Sequence, residues 1–269
     1  MINKKIKIFC VTNKVLNYFE KLPYTFAGVG KKNFPKNYLL SNYLNNIYYK
    51  EKYYSELTFH YWFWRNMLKK IHKDTWVGFC QKRRFWLKKR NNLNLLNKYN
   101  LHSHVLRSFP KEWSNNKESV IVDPIFVNNV KKMKLIKRGF RSLIADPKIF
   151  FDKKKQTVKL HFDMHHGYGN LDKAINLLDN EDKSEFRKFV NISNSFNPHI
   201  MFISKPEIAD KWFSKLFPWL FRCEQEFGFK NLSGYDTTRL YAYLAERYLP
   251  FWFRKYTKFI EWPIITIQH

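Results

Sequence analysis

The chain has 269 residues and a formal net charge of +27, from 49 Lys and Arg against 22 Asp and Glu. With 45% hydrophobic and 19% aromatic residues it is too apolar for a disordered chain, and it is long enough to bury a substantial core. Three widely spaced cysteines (Cys10, Cys80, Cys223) exclude a disulfide framework and favour a reducing compartment.

The N-terminus starts a strand almost at once and shows no signal-peptide core. Ile6 to Val11 reads as a buried first strand ending in the polar Thr12-Asn13-Lys14. A short strand follows around Tyr24 to Val29, closed by Gly28 and Gly30. Ser55 to Lys70 predicts a helix with Ser55 as N-cap and Leu57, Tyr61, Trp64 and Leu68 on its apolar face. Trp76 to Cys80 is a second apolar strand, running directly into Gln81-Lys82-Arg83-Arg84. Val120 to Val122 is a third, stopped by Asp123-Pro124.

Beyond that the chain is more helical. Leu171 to Asn180 and Asp182 to Asn191 predict short helices, and His199 to Ser204 an apolar strand. Pro206 opens a helix striped by Ile208, Trp212, Leu216 and Leu220. Asp236 is expected to cap a helix through Tyr248, with Pro250 kinking or ending it, and Ile264 to Ile267 is a last strand. Alternating strands and helices with no long linker predict one α/β domain, 1–269, with a mostly parallel sheet, a nucleotide-binding half (1–125) and a helical, acceptor-side half (126–269). No apolar run approaches the ~20 residues that span a bilayer.

A field of this sign attracts polyanions: nucleic acid, nucleotide phosphates, or an anionic membrane leaflet. The basic runs Lys69-Lys70, Lys82-Arg83-Arg84, Lys88-Lys89-Arg90, Lys131-Lys132 and Lys153-Lys154-Lys155 are spread along the chain, and a solvated lysine-rich surface is the plain alternative. In open α/β sheets, ligands bind at the carboxyl ends of strands, here Thr12-Asn13-Lys14, Gln81 to Arg84 and Asp123. Cations at the end of a buried strand suit a diphosphate, because arginine offers paired donors to phosphate oxygens. No Walker-type glycine-rich loop is present.

His161, Asp163 and His165 would share one face if this piece is a strand, with His166 adjacent. Metal binding, a substrate-site histidine and a structural role are all open there. Glu246-Arg247 is either catalytic or a buried ion pair, and Glu56 either contacts a ligand or favours a helix dipole. Tyr61, Trp62 and Trp64 read as core ahead of sugar-stacking platforms. Phe251-Trp252-Phe253-Arg254-Lys255 is either a membrane-interface element or the packed end of the last helix.

Ile8 to Lys14, Tyr54 to Thr58, Tyr61 to Asn66 and Val77 to Phe85 together resemble, in order, the domain-of-unknown-function 4422 family, whose members sit among bacterial capsule and lipopolysaccharide glycosyltransferases. Ile200 to Ile203, Arg239 to Arg247, and His166 with Asn170-Leu171 are similar to later motifs of that family. The chain departs from the pattern at Asn13 (His in the family), Gln81-Lys82 (His-Tyr), Asn170 (Asp) and Ile200 (Asn).

The resemblance implies a GT-A-like nucleotide-diphospho-sugar transferase fold. It implies transfer from a nucleotide donor, with UDP-galactose (pyranose or furanose) or another UDP-hexose expected, to a capsule, lipopolysaccharide or lipooligosaccharide acceptor. The donor-binding candidates are Val11, Thr12, Asn13, Lys14, Gly28, Glu56, Gln81, Lys82, Arg83 and Arg84. The catalytic candidates are Glu246, Asp163 and His166, and the acceptor candidates His165, Asn170, Asp236 and Arg239. No cofactor and no metal ligand is expected; Mn or Mg on the diphosphate is the disfavoured alternative, since the strand end carries Gln81 and cations where paired aspartates would hold a metal. The expected place is the cytoplasm, against the anionic inner face of the membrane, with no nucleic-acid partner. A basic nucleic-acid-binding protein and an inactive sugar-binding scaffold are the competing readings.

Overall fold

A computed structural model describes residues 5–30, 33–90, 100–113 and 116–267. The strands are β1 (Lys5–Thr12), β2 (Thr25–Gly28), β3 (Leu39–Leu40), β4 (Thr75–Gln81), β5 (Arg84–Trp86), β6 (Ser119–Val122), β7 (Ile125–Phe126), β8 (Ser195–Phe196), β9 (Phe202–Ser204), β10 (Phe259–Trp262) and β11 (Ile264–Thr266). The chain forms two compact units: one holds the residues up to Asp123, His199–Ser214 and those from Phe253 onward, and the other holds Pro124–Pro198 and Lys215–Trp252.

The first unit is built on a nine-stranded sheet in the order β10-β6-β9-β4-β1-β2-β3, with β5 pairing both β4 and β11. β1 runs parallel to β2 and β4, β2 parallel to β3, and β6 parallel to β10, whereas β9 lies antiparallel between β4 and β6. The expected α/β, mostly parallel architecture is what the chain adopts. Near-continuous burial along β1 and β4 follows from a sheet covered on both faces. Alternation sorts the residues. Phe9, Phe79 and Phe202 pack, in tilted and edge-on ring contacts, with Phe59 and Phe63 of the helix Leu57–Asn66 and with Phe213. Ile8, Cys10, Trp76, Cys80, Val120 and Ile203 enter the core on the other side.

Gly78 sits where that second core is tightest. A Cβ there would lie 2.8 Å from Ile203 Cγ1 and 3.2 Å from Ile8 Cγ1. Gly78→Ala is therefore expected to cost about 1–3 kcal/mol by overpacking, read as a lower urea midpoint at unchanged slope.

Several local expectations change. The helix begins at Leu57 after Glu56, with no side-chain cap; Ser55 is at φ 51°, a left-handed turn that an N-cap does not use. Its buried positions are Leu57, Thr58, Phe59, His60, Trp62 and Phe63, so the apolar face is displaced from the expected stripe; Tyr61 and Trp64 are half-buried and Leu68 lies in a separate 3₁₀ turn. Gln81 to Arg84 is a tight hairpin between β4 and β5, where the sequence suggested an open strand end. Asp236 lies in a one-turn helix, Gly234–Thr237, and the helix Leu240–Tyr256 runs through Pro250 without ending there.

The second unit is mostly helical: Lys132–Ala145, Val158–His166, Asn170–Asn176, Asn180–Ile192, the part of Pro206–Phe227 from Lys215, and Leu240–Tyr256 up to Trp252. Phe186, Trp219 and Tyr248 pack at its centre, and the polar atoms of these side chains are satisfied: Trp219 Nε1 donates to the Ala174 carbonyl at 2.8 Å and the Tyr248 hydroxyl to Asp182. No helix among the described residues is long and apolar enough to cross a membrane.

Candidate functional site

Parallel strands end together at one edge of the first unit's sheet. The register aligns Val11 with Gln81, Thr12 with Gly28, and Gly28 with Leu40. The expected donor residues thus gather at one carboxyl edge, the position where α/β sheets bind ligands. Val11 and Thr12 are buried, and the Thr12 hydroxyl both donates to the Lys14 carbonyl and accepts from the Lys14 amide at 3.0 Å, turning the chain at the strand end. Lys14 itself is exposed.

The basic hairpin is fixed from several sides. Tyr18 donates its hydroxyl to the Lys82 carbonyl at 2.9 Å, and the Ile267 amide donates to the Arg83 carbonyl at 2.8 Å. Lys82 Nζ donates to Asn13 Oδ1 at 2.5 Å, joining the ends of β1 and β4. Arg84 Nη1 donates to Gln81 Oε1 at 2.8 Å, and Gln81 Nε2 in turn donates to Glu56. Glu56 is thereby engaged with the amide that stands at the strand end. The buried Nε of Arg83 has no hydrogen-bond partner. An arginine nitrogen out of water and unpaired is costly, and an incoming anion would relieve that cost.

Tyr18 was not anticipated from sequence; burial pushes its phenol up to about 12, so it acts as a donor at neutral pH. Nor was Tyr48, whose hydroxyl donates to the Gly30 carbonyl. Both come from 3₁₀ turns remote in sequence, and no spacing rule points to them. Asp123, at the end of β6, is paired with Arg90 through two contacts at 3.0 and 3.2 Å.

The second unit gathers the other candidates. Val158–His166 is a helix capped by Thr157, so the strand spacing expected for His161, Asp163 and His165 does not apply. Residues two apart on a helix point about 200° apart, which parts Asp163 from both histidines. His161 and His165, four apart, stack at 4.5 Å. Among the described residues no group of three or more His, Cys, Asp or Glu is placed to hold a metal ion. Asp163 accepts from Lys159 at 2.6 Å and from the Gly169 amide at 3.1 Å, so it fastens the glycine turn to the helix. Burial raises its pKa, and Lys159 opposes the rise.

Arg247 has a 2% exposed side chain, stacks 4.0 Å from the Phe196 ring, pairs with Glu246 at 2.5 Å and approaches His161 Nδ1 at 3.2 Å. A guanidinium can only donate, so His161 carries its proton on Nε2. His166 stacks on Tyr243 at 3.7 Å, and its Nδ1 faces the Asp236 carbonyl at 2.9 Å; it therefore donates from Nδ1 and keeps Nε2 as an acceptor. Asn170 Nδ2 donates to the His166 carbonyl at 2.9 Å, His165 Nδ1 meets the His161 carbonyl, Asp236 pairs with Arg138 at 3.1 Å, and Arg239 is exposed. Phe251, Trp252 and Phe253 are buried, so this segment is packed core and presents no aromatic face to a membrane.

Burial, then Arg247, lowers His161 to about 2 and His166 to about 4, and burial alone lowers His60 to about 3. All three are neutral in the folded chain at pH 7, whereas the unfolded histidines protonate near 6.5. Their stabilising effect is full above pH 6.5 and is lost as pH falls below it, at up to about 1.4 kcal/mol per pH unit for each histidine. Urea midpoints are expected to fall steadily from pH 6.5 to 4.5, and His60→Gln to make that slope shallower; an unchanged slope would contradict the assignment.

Among curated protein sequences no relative matches. A solved structure described as the apo form of WbbM, a bifunctional glycosyltransferase, is similar in fold, with a TM-score of 0.71, 17% identity, and coverage of 98% of this chain and 46% of that one. The chain thus spans about half the length of that protein, and the likeness is one of fold. The family described as "Domain of unknown function (DUF4422)" matches residues 7–257, nearly the whole chain, and it is to this family that the protein belongs.

Proposed function

We propose that the chain is a glycosyltransferase that takes a sugar from a nucleotide-diphosphate donor, a UDP-hexose such as UDP-galactose in pyranose or furanose form. Its acceptor is a capsule, lipopolysaccharide or lipooligosaccharide glycan, and it works in the cytoplasm against the anionic inner face of the membrane. The observation that carries the reading is the hairpin Lys82-Arg83-Arg84 at the carboxyl edge of parallel strands, with a buried, unpartnered arginine nitrogen. The similarity of fold to a protein described as a glycosyltransferase supports it.

In the reaction the acceptor hydroxyl attacks the anomeric carbon, the bond from that carbon to the β-phosphate oxygen breaks, and UDP departs with the electron pair. Cations fixed beside the phosphates stabilise that departing charge without needing to reorganise. A divalent metal fits the edge less well, because Gln81 stands at the end of β4 and Glu56 is engaged with it. Of the catalytic candidates, Asp163 is held by Lys159 and Gly169, and His166 by Asp236 and Tyr243. This reading assigns the acceptor proton to Glu246, whose carboxylate is paired with Arg247 and whose side chain is 17% exposed.

Thermal-shift measurements with UDP, GDP, CMP and single-stranded DNA test the proposal. UDP is expected to raise Tm by several degrees, with or without EDTA. Stabilisation by DNA in place of UDP would favour a nucleic-acid-binding protein. UDP binding without hydrolysis of any donor would favour a sugar-binding scaffold, and transfer abolished by EDTA and restored by manganese would overturn metal independence.

A further inference from the structure

We infer that the helix Lys132–Ala145 is the surface by which this protein lies on an anionic lipid bilayer. The inference rests on the membrane location proposed above and names the element responsible for it.

The helix is attached by one face only. Leu135, Gly139 and Ser142 are buried, and Leu135 packs with Ile149, Leu160 and Met164. On the opposite face Met133, Ile136, Phe140 and Ile144 are 62, 44, 60 and 66% exposed. Their spacing of three, four and four residues places them in one stripe along the helix. A water-facing stripe would ordinarily be polar; four large apolar side chains in register mark a surface that is covered in use.

Charge identifies what covers it. Between Lys131 and Ala145 there are six cations, Lys131, Lys132, Lys134, Lys137, Arg138 and Arg141, and no carboxylate; Arg138 is paired with Asp236 of a neighbouring turn, and the other five supply the charge. Lys134, Lys137 and Arg141 follow one flank of the apolar stripe at helical spacing, which is the arrangement of a helix lying in a headgroup layer with its apolar side in the acyl boundary. Lys132 Nζ lies 5.0 Å from the Phe150 ring, which places Phe150 and the 82% exposed Phe151 next to the first turn. Long basic side chains can lie along the stripe and still reach phosphates. A second copy of this helix would bring like charges together, which disfavours self-association. A nucleic acid would satisfy the cations and leave the apolar stripe in water.

Flotation with vesicles of phosphatidylcholine containing 30% phosphatidylglycerol, beside vesicles of phosphatidylcholine alone, tests this on the whole chain. Binding is expected to the anionic vesicles, to weaken with salt, and to fall at least tenfold in the triple variant Ile136→Ser, Phe140→Ser, Ile144→Ser. It should also fall at least tenfold in Lys134→Glu, Lys137→Glu, each cation near such a surface being worth about fivefold. All three apolar side chains are solvent-facing, so circular dichroism and the UDP-induced shift should match the parent protein. Failure of the parent protein to float, variants floating equally well, or a concentration-dependent dimer abolished by the triple variant would each overturn the inference. UDP binding without vesicle binding sinks this inference alone; vesicle binding without UDP binding sinks the donor reading and leaves the lipid surface standing.

Discussion

Arg83→Ala is expected to weaken UDP binding by about 10- to 100-fold while leaving the fold intact. Three neighbouring cations play different parts at this edge. Lys82 joins Asn13 and Arg84 joins Gln81, so each helps to hold two strand ends in place. Arg83 carries a buried Nε that nothing satisfies, and its loop is held by contacts that do not use its side chain: the Tyr18 hydroxyl on the Lys82 carbonyl and the Ile267 amide on its own carbonyl. Deleting the side chain thus removes a phosphate partner without releasing the hairpin. Hydrogen bonds to charged groups are worth about 1.5–3 kcal/mol, which converts to the stated range. Arg83→Lys should recover only part of it, because an ammonium lacks the planar fork. Isothermal titration with UDP reads both variants; an unchanged Kd for Arg83→Ala would remove the hairpin from the donor site.

The features legible in the sequence were those carried by period and by sharp chemical contrast. β1 and β4 showed as apolar runs, and the change from Cys80 to Gln81-Lys82-Arg83-Arg84 marked the strand end because no buried strand tolerates three cations. The stripe Ile208, Trp212, Leu216 and Leu220 is buried as expected. The residues around His161 were harder. Two alternating histidines suit a strand as well as a helix, and the deciding feature, Thr157 accepting from Leu160, is an N-cap four residues upstream of His161. Likewise a helix rich in aromatics on every side gives no single apolar face, so that Tyr61 and Trp64 suit the stripe by spacing while Phe59, Trp62 and Phe63 occupy it. Tyr18 and Arg90 reach their partners 64 and 33 residues away, a relation that only the folded sheet creates.

Glu246 and Arg247 separate catalysis from structure by the two quantities that their replacement changes. Arg247 is 1% exposed as a residue, lies over the Phe196 ring and is paired with Glu246, so Arg247→Ala is expected to cost about 3–5 kcal/mol through the lost packing and the lost ion pair. That loss, of side-chain packing and of the pairing with Glu246, should appear as a lower denaturant midpoint whether or not the chain is an enzyme. Glu246→Gln keeps the shape and an acceptor oxygen towards Arg247 and should cost no more than about 2 kcal/mol, since the carboxylate is partly solvated and the guanidinium retains a polar partner. If Glu246 takes the acceptor proton, the same substitution lowers transfer by about 100-fold or more, with donor binding retained, because an amide cannot accept the proton. A Glu246→Gln protein that loses stability in step with activity would make the pair structural and leave the base to be found elsewhere.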